Sequence, residues 1–193
     1  MRILGPIVRL QVQRSPLKVG FKPDRHYTPE PIVSVNRLRL TPWGCVGITP
    51  TEEILDVHHR EHPQTRHDRP EKGLSMGFTG HYAEMRERFG GHMGVGVAGE
   101  SVIVDTPGRM RLDDLKDGMV ILDKAGEERV RFHKVFVAHP CKPFSGFALG
   151  RIVEPEELKG TLQFLDDGTR GFRCVPEITE PVEIEVGHVL AIQ

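Results

Sequence analysis

The sequence predicts a mainly β fold: a closed or nearly closed barrel of short strands, with one main helix and a few helical turns. Three observations predict it. Twenty-one glycines and fifteen prolines punctuate many short β-rich runs. Those runs alternate apolar and polar residues with the strand period of two. One segment only carries a clear helical period, so long helices are scarce. A chain of 193 residues suits one domain over 1–193, large enough to bury roughly 70% of its unfolded surface around a single core. No repeat or linker divides it.

Taken in order, "GPIVRLQVQ" (5–13) alternates and reads as the first strand, and "LKVGFKPDRHYTPEP" follows as a turn-rich arm. "PIVSVNRLRLTPWGCVGI" places Val33, Val35, Leu38 and Leu40 on a period-two run that slips near Asn36, which predicts one long strand with a bulge. Apolar content then collapses through "DVHHREHPQTRHDRPEKG". A loop of about 15 residues without periodicity is usually functional or disordered. The helix is expected over 79–90, with Thr79 as N-cap, Tyr82, Met85 and Phe89 on its apolar face, and Gly90-Gly91 as its stop. "ESVIVD", "TPGRMRLDDLKDGMVILD" and "EERVRFHKVFVAHP" read as further strands. "EPEELKG" suggests one helical turn, "GTLQFLDDGTRGFRCVPEI" a hairpin around Asp167-Gly168, and "PVEIEVGHVLAIQ" the last strand.

Charge and cysteine usage exclude several classes. With 26 basic and 27 acidic side chains the net charge is -1, so no global basic field draws the chain to nucleic acid. Three cysteines without paired spacing argue against a disulfide framework and for a reducing compartment. The opening apolar run is too short for a signal peptide and no run reaches the roughly 18 residues of a membrane span, so a soluble cytoplasmic protein is expected.

Gly94-Val95-Gly96-Val97-Ala98-Gly99 spells G-x-G-x-x-G. A dinucleotide site needs a strand running into the glycines and a helix starting from them. Here the predicted order is helix, turn, strand, so the glycines read as a turn using positive φ or close backbone approach.

Three stretches carry candidate chemistry. Cys141 in "AHPCKPF" ends a predicted strand between Pro140 and Pro143. Its neighbours His139 and Lys142 are of the kind that favour the nucleophilic, metal-ligating thiolate. A lone cysteine is also commonly a small packed hydrophobe, and Cys45 and Cys174, inside apolar strand patterns, read that way. In the second stretch, His58, His59, His62 and His67 interleave with Arg60, Arg66 and Arg69. Guanidinium forks suit a phosphate or other oxyanion. His58 and His62 would bind a divalent metal only on a helix that Pro63 disfavours, and a solvated loop is the plain alternative. In the third, Gly171 lets backbone approach a ligand held by Arg170 or Arg173.

In order, these pieces resemble the MOSC domain, named for the C-terminal part of molybdenum cofactor sulfurase. "GVAGESVIVD" looks like its G-x-x-G-E-N turn, "VAHPCKPF" like its strand ending in Pro-Cys, and "DDGTRGFRCVP" like its late G-x-x-G-aromatic-x-R hairpin. The resemblance spans about residues 31–192 and rests on short motifs that are specific only jointly. It implies a mostly β, barrel-like fold in which Cys141 carries sulfur as a persulfide or ligates the metal of a bound molybdopterin. Glu100 is then the acidic residue of the glycine turn, flanked by Gly99 and Ser101. Ser101 stands where the family usually has Asn, and Phe144 stands where some members have a second cysteine, so two-thiol exchange is not available. The chain is too short for the separate pyridoxal-phosphate domain of the sulfurase. The expected site therefore takes an oxyanion-bearing cofactor or small-molecule substrate between the histidine-rich loop (His58, His59, Arg60, Arg66), the glycine turn (Gly99, Glu100, Ser101), the Cys141 loop (His139, Lys142) and the late hairpin (Arg170, Gly171, Arg173). A sulfur donor or a molybdoenzyme would be its partner, with no nucleic acid or membrane involved. The rival expectation is a non-catalytic divalent-metal-binding or interaction module built on the histidine-rich loop.

Overall fold

The computed structural model describes residues 1–66, 69–151 and 155–193. The chain opens with β1 (Arg2–Gln13), then the short pair β2 (Lys18–Val19) and β3 (His26–Tyr27), followed by β4 (Ile32–Val35), β5 (Arg37–Thr41), β6 (Gly44–Ile48) and β7 (Glu53–Leu55). A 3-10 turn at Pro70–Lys72 leads to β8 (Ser75–Phe78), α1 (Thr79–Phe89), β9 (Val102–Val104) and the one-turn α2 (Leu112–Leu115). Then come β10 (Met119–Leu122), β11 (Glu128–Val137), α3 (Lys142–Leu149), α4 (Pro155–Leu165), β12 (Phe172–Pro176), β13 (Val182–Glu185) and β14 (Val189–Ile192).

Seven strands close into the predicted barrel, in the order β14-β10-β11-β12-β8-β9-β1, with β1 pairing back onto β14 and β4 adding outside β1. Closure removes the unpaired edges that an open sheet would expose. All neighbours run antiparallel except β8 and β9, which flank α1 and the glycine turn. A four-stranded sheet, β13-β5-β6-β7, and the hairpin β2-β3 complete the β structure. No helix is long and apolar enough to cross a membrane among the described residues.

Two apolar clusters explain why the strands lie where they do. One fills the barrel, with Leu10, Val102, Val104, Phe132 and Phe172. The other lies outside it, where Tyr27, Tyr82, Met85, Phe144 and Leu165 pack under the helices with Ile103. The β-branched run Val102-Ile103-Val104 therefore buries both faces of β9, as a strand covered on both sides must. Beside Phe132 the pairing of β11 with β12 slips. That bulge moves the inward phase from Val130 and Phe132 to Val135 and Val137.

Several local expectations are corrected. The slip at Asn36 is a change of sheet: β4 pairs with β1 while β5 pairs with β13 and β6. Thr79 does not cap α1, whose N-cap is Phe78. Its hydroxyl instead donates to Asp105 Oδ1 at 2.6 Å and accepts the Thr106 N–H at 2.9 Å. Gly90 ends the helix with φ 105, as expected of a terminal glycine. Lys142, expected in the Cys141 loop, instead starts a helix, because "KPFSGFAL" forms α3. The single turn at "EPEELKG" extends into the eleven-residue α4, so Asp167-Gly168 joins a helix to β12 and no hairpin forms. The last strand is two, β13 and β14, because Gly187 turns the chain with φ 91.

His81 gives this packing a pH dependence. It is fully buried between the rings of Phe78 and Phe172, 5.1 and 5.9 Å away, with Nε2 against the backbone of Met110. Burial lowers its pKa from 6.5 to about 4. The unfolded chain therefore takes up this proton near its ordinary value and the folded chain only near the lower one. The contribution is fully present above the unfolded value and is lost as pH falls toward the folded one, about 2 kcal/mol being gone by about pH 5. Urea midpoints at neutral and mildly acid pH should show that loss, reduced by about this amount in His81→Phe.

Candidate functional site

The C-terminal end of β1, the starts of β8, β9 and β12 and the end of β11 meet at one mouth of the barrel. There they enclose a pocket of about 560 Å³, within the usual size range of small-molecule sites. Its wall brings together residues from all four predicted stretches: His58 and Arg66, Gly99 and Ser101, His139 and Cys141, Arg170 and Arg173.

The pocket is strongly positive. Lys18, Arg25, Arg66, Lys72, Arg170 and Arg173, six cations, line it, with no Asp or Glu among the described residues of the wall. In a chain of net charge -1 this is a local concentration, the pattern that focuses field on an anion. Desolvation, and then repulsion from Arg69, Arg173 and Lys18, lowers the Lys72 pKa. The buried Nε of Arg25 has no hydrogen-bond partner among the described residues. Arg170 is held in place, donating to the Ala98 carbonyl at 2.9 Å and lying 5.3 Å over the Phe144 ring.

The glycine turn forms one side of the wall. Gly99 has φ 85, and a Cβ there would lie 2.6 Å from Leu17 and 2.8 Å from the Gln13 amide. The Gln13 amide donates to the Gly99 carbonyl at 2.7 Å, which pins the turn to β1. Glu100 lies behind the wall, 1% exposed, with Oε2 accepting the Tyr82 hydroxyl at 2.5 Å and Oε1 unpartnered among the described residues. Desolvation raises its pKa, opposed first by the Arg170 charge. Gly171, with φ 109, packs against the same carboxyl and the Met76 carbonyl.

Cys141 is partly exposed in the pocket as the residue that opens α3, and its side chain makes no capping bond. His139 Nδ1 lies 2.8 Å from Asp166 Oδ1. Lys142 is exposed and does not line the pocket. Cys45 and Cys174 are wholly buried; burial pushes the Cys45 thiol well up and that of Cys174 to about 12.

The histidine-rich loop is dispersed. His58 Nδ1 is 2.8 Å from Asp56 Oδ1, His59 Nε2 is 3.2 Å from the Thr41 hydroxyl, and His62 Nε2 is 3.1 Å from the Arg14 carbonyl. His59 is 4% exposed and its pKa is lowered by burial. Arg60 stacks 4.3 Å over Trp43. Neither lines the pocket, and His67 lies outside the described residues. Among the described residues, no three His, Cys, Asp or Glu side chains group so as to hold a metal ion.

Sequence reasoning missed Lys18, Arg25, Tyr27 and Lys72. The arm "LKVGFKPDRHY" shows its charges openly, but only the β2-β3 hairpin brings it to the mouth. There Tyr27 donates to the Val97 carbonyl at 2.7 Å and packs 5.0 Å from Phe144. Burial pushes the Tyr27 phenol up.

No protein-family model and no curated protein matches the chain. Among solved structures it is similar to the YuaD protein from Bacillus subtilis, with TM-score 0.56 and 14% identity, over 98% of this chain and 96% of that one. It is also similar to a hypothetical protein, with TM-score 0.56 and 12% identity, over 99% of this chain and 69% of that one. At these identities the likeness establishes a shared barrel fold and nothing about chemistry.

Proposed function

We propose that the mouth of the barrel binds an oxyanion-bearing small molecule, with Cys141 as the reactive atom presented to it. The observation that carries this reading is the pocket wall itself, six cations and a thiol without a carboxylate among its described residues. Together with the resemblance to MOSC domains, it makes molybdopterin the cofactor of choice. Its phosphate would be held by Arg173, Lys72 and Arg25, whose buried Nε lacks a partner among the described residues. Its metal centre would supply redox chemistry beside the Cys141 thiol. Guanidinium presents a planar fork to such an anion.

The test is elemental analysis for molybdenum, with pterin fluorescence after oxidation, on protein from a host that makes the cofactor. Stoichiometric cofactor is expected, falling at least about tenfold in Arg173→Gln, since a charge-assisted hydrogen bond contributes about 1.5–3 kcal/mol. Protein free of both metal and pterin overturns the molybdopterin reading. The same pocket then serves sulfur carriage, favoured by a Cys141 side chain that makes no capping bond and is open to the mouth.

A further inference from the structure

His58 reaches the pocket on a rigid support. Asp56 follows β7 and is 3% exposed, with Oδ2 accepting the Gln13 N–H at 2.8 Å and Oδ1 accepting the His58 N–H at 2.9 Å. The same Oδ1 lies 2.8 Å from His58 Nδ1. A carboxylate so placed accepts the Nδ1 proton, which fixes the ring and directs Nε2 to other partners. His58 is 38% exposed in the pocket wall, and its Nε2 has no hydrogen bond among the described residues. The other imidazole of the wall differs: His139 is 70% exposed and its partner Asp166 45%, a surface pair that orders little.

Resting on the sulfur-carriage reading of the same pocket, we propose that His58, held by Asp56, is the proton donor of a transfer that loads Cys141 with sulfur from a small anionic persulfide. The Cys141 thiol first loses its proton to solvent, and the thiolate attacks the outer sulfur of the donor. One S–S bond forms at Sγ while the donor's S–S bond breaks, leaving its electron pair on the inner sulfur. The His58 imidazolium delivers its Nε2 proton to that sulfur and is reprotonated from solvent. In sum, a thiol and a persulfide become a persulfide and a thiol, with no net oxidation. The cationic wall suits a donor such as glutathione persulfide, which carries carboxylates.

The experiment compares two reactions at Cys141 in the full chain. Sulfur acceptance from glutathione persulfide has a leaving thiolate to protonate, whereas alkylation by iodoacetamide expels iodide and needs no acid. His58→Gln is expected to slow sulfur acceptance about 10²-fold while alkylation stays within about threefold, because only the first reaction uses general acid catalysis, and His133→Gln, a surface histidine beside Glu177 and outside the pocket wall, is expected to change neither. Nitrogen-15 spectra should show neutral His58 carrying its proton on Nδ1, a preference lost in Asp56→Asn. Unchanged sulfur acceptance in His58→Gln, or equal slowing of both reactions, overturns the proposal, as does a selective effect of His133→Gln instead. A wild-type protein that is alkylated but accepts no sulfur refutes the sulfur-carriage reading beneath it.

Discussion

Iodoacetamide added to the native protein is expected to alkylate Cys141 and to leave Cys45 and Cys174 unmodified until the chain unfolds. Cys141 is partly exposed in the pocket, while the other two thiols have no accessible surface and burial holds them protonated. A buried thiol reacts only through opening. With a stability of at least about 5 kcal/mol, the open fraction caps its rate at roughly 10³-fold or more below that of an exposed one. Mass-spectrometric mapping after brief labelling checks the ratio, and urea should abolish it. Comparable labelling of Cys45 or Cys174 in the folded protein would overturn the proposal that Cys141 is the reactive atom.

Gly80→Ala is expected to destabilise the protein by about 4 kcal/mol, an overpacking cost at the upper end of single substitutions. Helix propensity alone predicts the opposite, a gain of up to about 1 kcal/mol inside α1. Tertiary contact decides the sign. A Cβ at Gly80 would lie 2.0 Å from the Gly108 carbonyl oxygen and 2.2 Å from its carbon, so backbone meets backbone with no flexible end to yield. The loop carrying Gly108 is tied to α1 on both sides, by Thr79 to Asp105 and Thr106 and by His81 to Met110. A lower urea midpoint at unchanged slope is the expected reading. A midpoint at or above wild type would mean that this loop leaves the helix freely.

The β class, the helix at 79–89 and the helix–turn–strand order around Gly94 to Gly99 were legible in the sequence, because period and punctuation are local properties. So were the buried places of Cys45 and Cys174, each flanked by apolar strand residues. The sequence by itself also brought Cys141, Arg170 and Arg173 forward as candidates, through prolines, a turn glycine and charges written side by side, whereas Gly99 and Ser101 came forward only through the resemblance to MOSC domains. Helix α3 escaped it because Pro143 and Gly146 argue locally against a helix that packing of Phe144 and Ala148 stabilises. The change of sheet at Asn36 escaped it because a slip in alternation looks the same whether a strand bulges or crosses to a new partner.

Only the tertiary structure sorted the histidine-rich loop, sending His59 inward to Thr41, His62 to the Arg14 carbonyl and His58 to Asp56 at the pocket. It alone carried Lys18 and Arg25 to Arg170 and Arg173, far apart in the chain but joined at one mouth. The physical reason is that alternation and turn chemistry act between neighbours, whereas a field of converging cations depends on barrel closure, which no short window of sequence records.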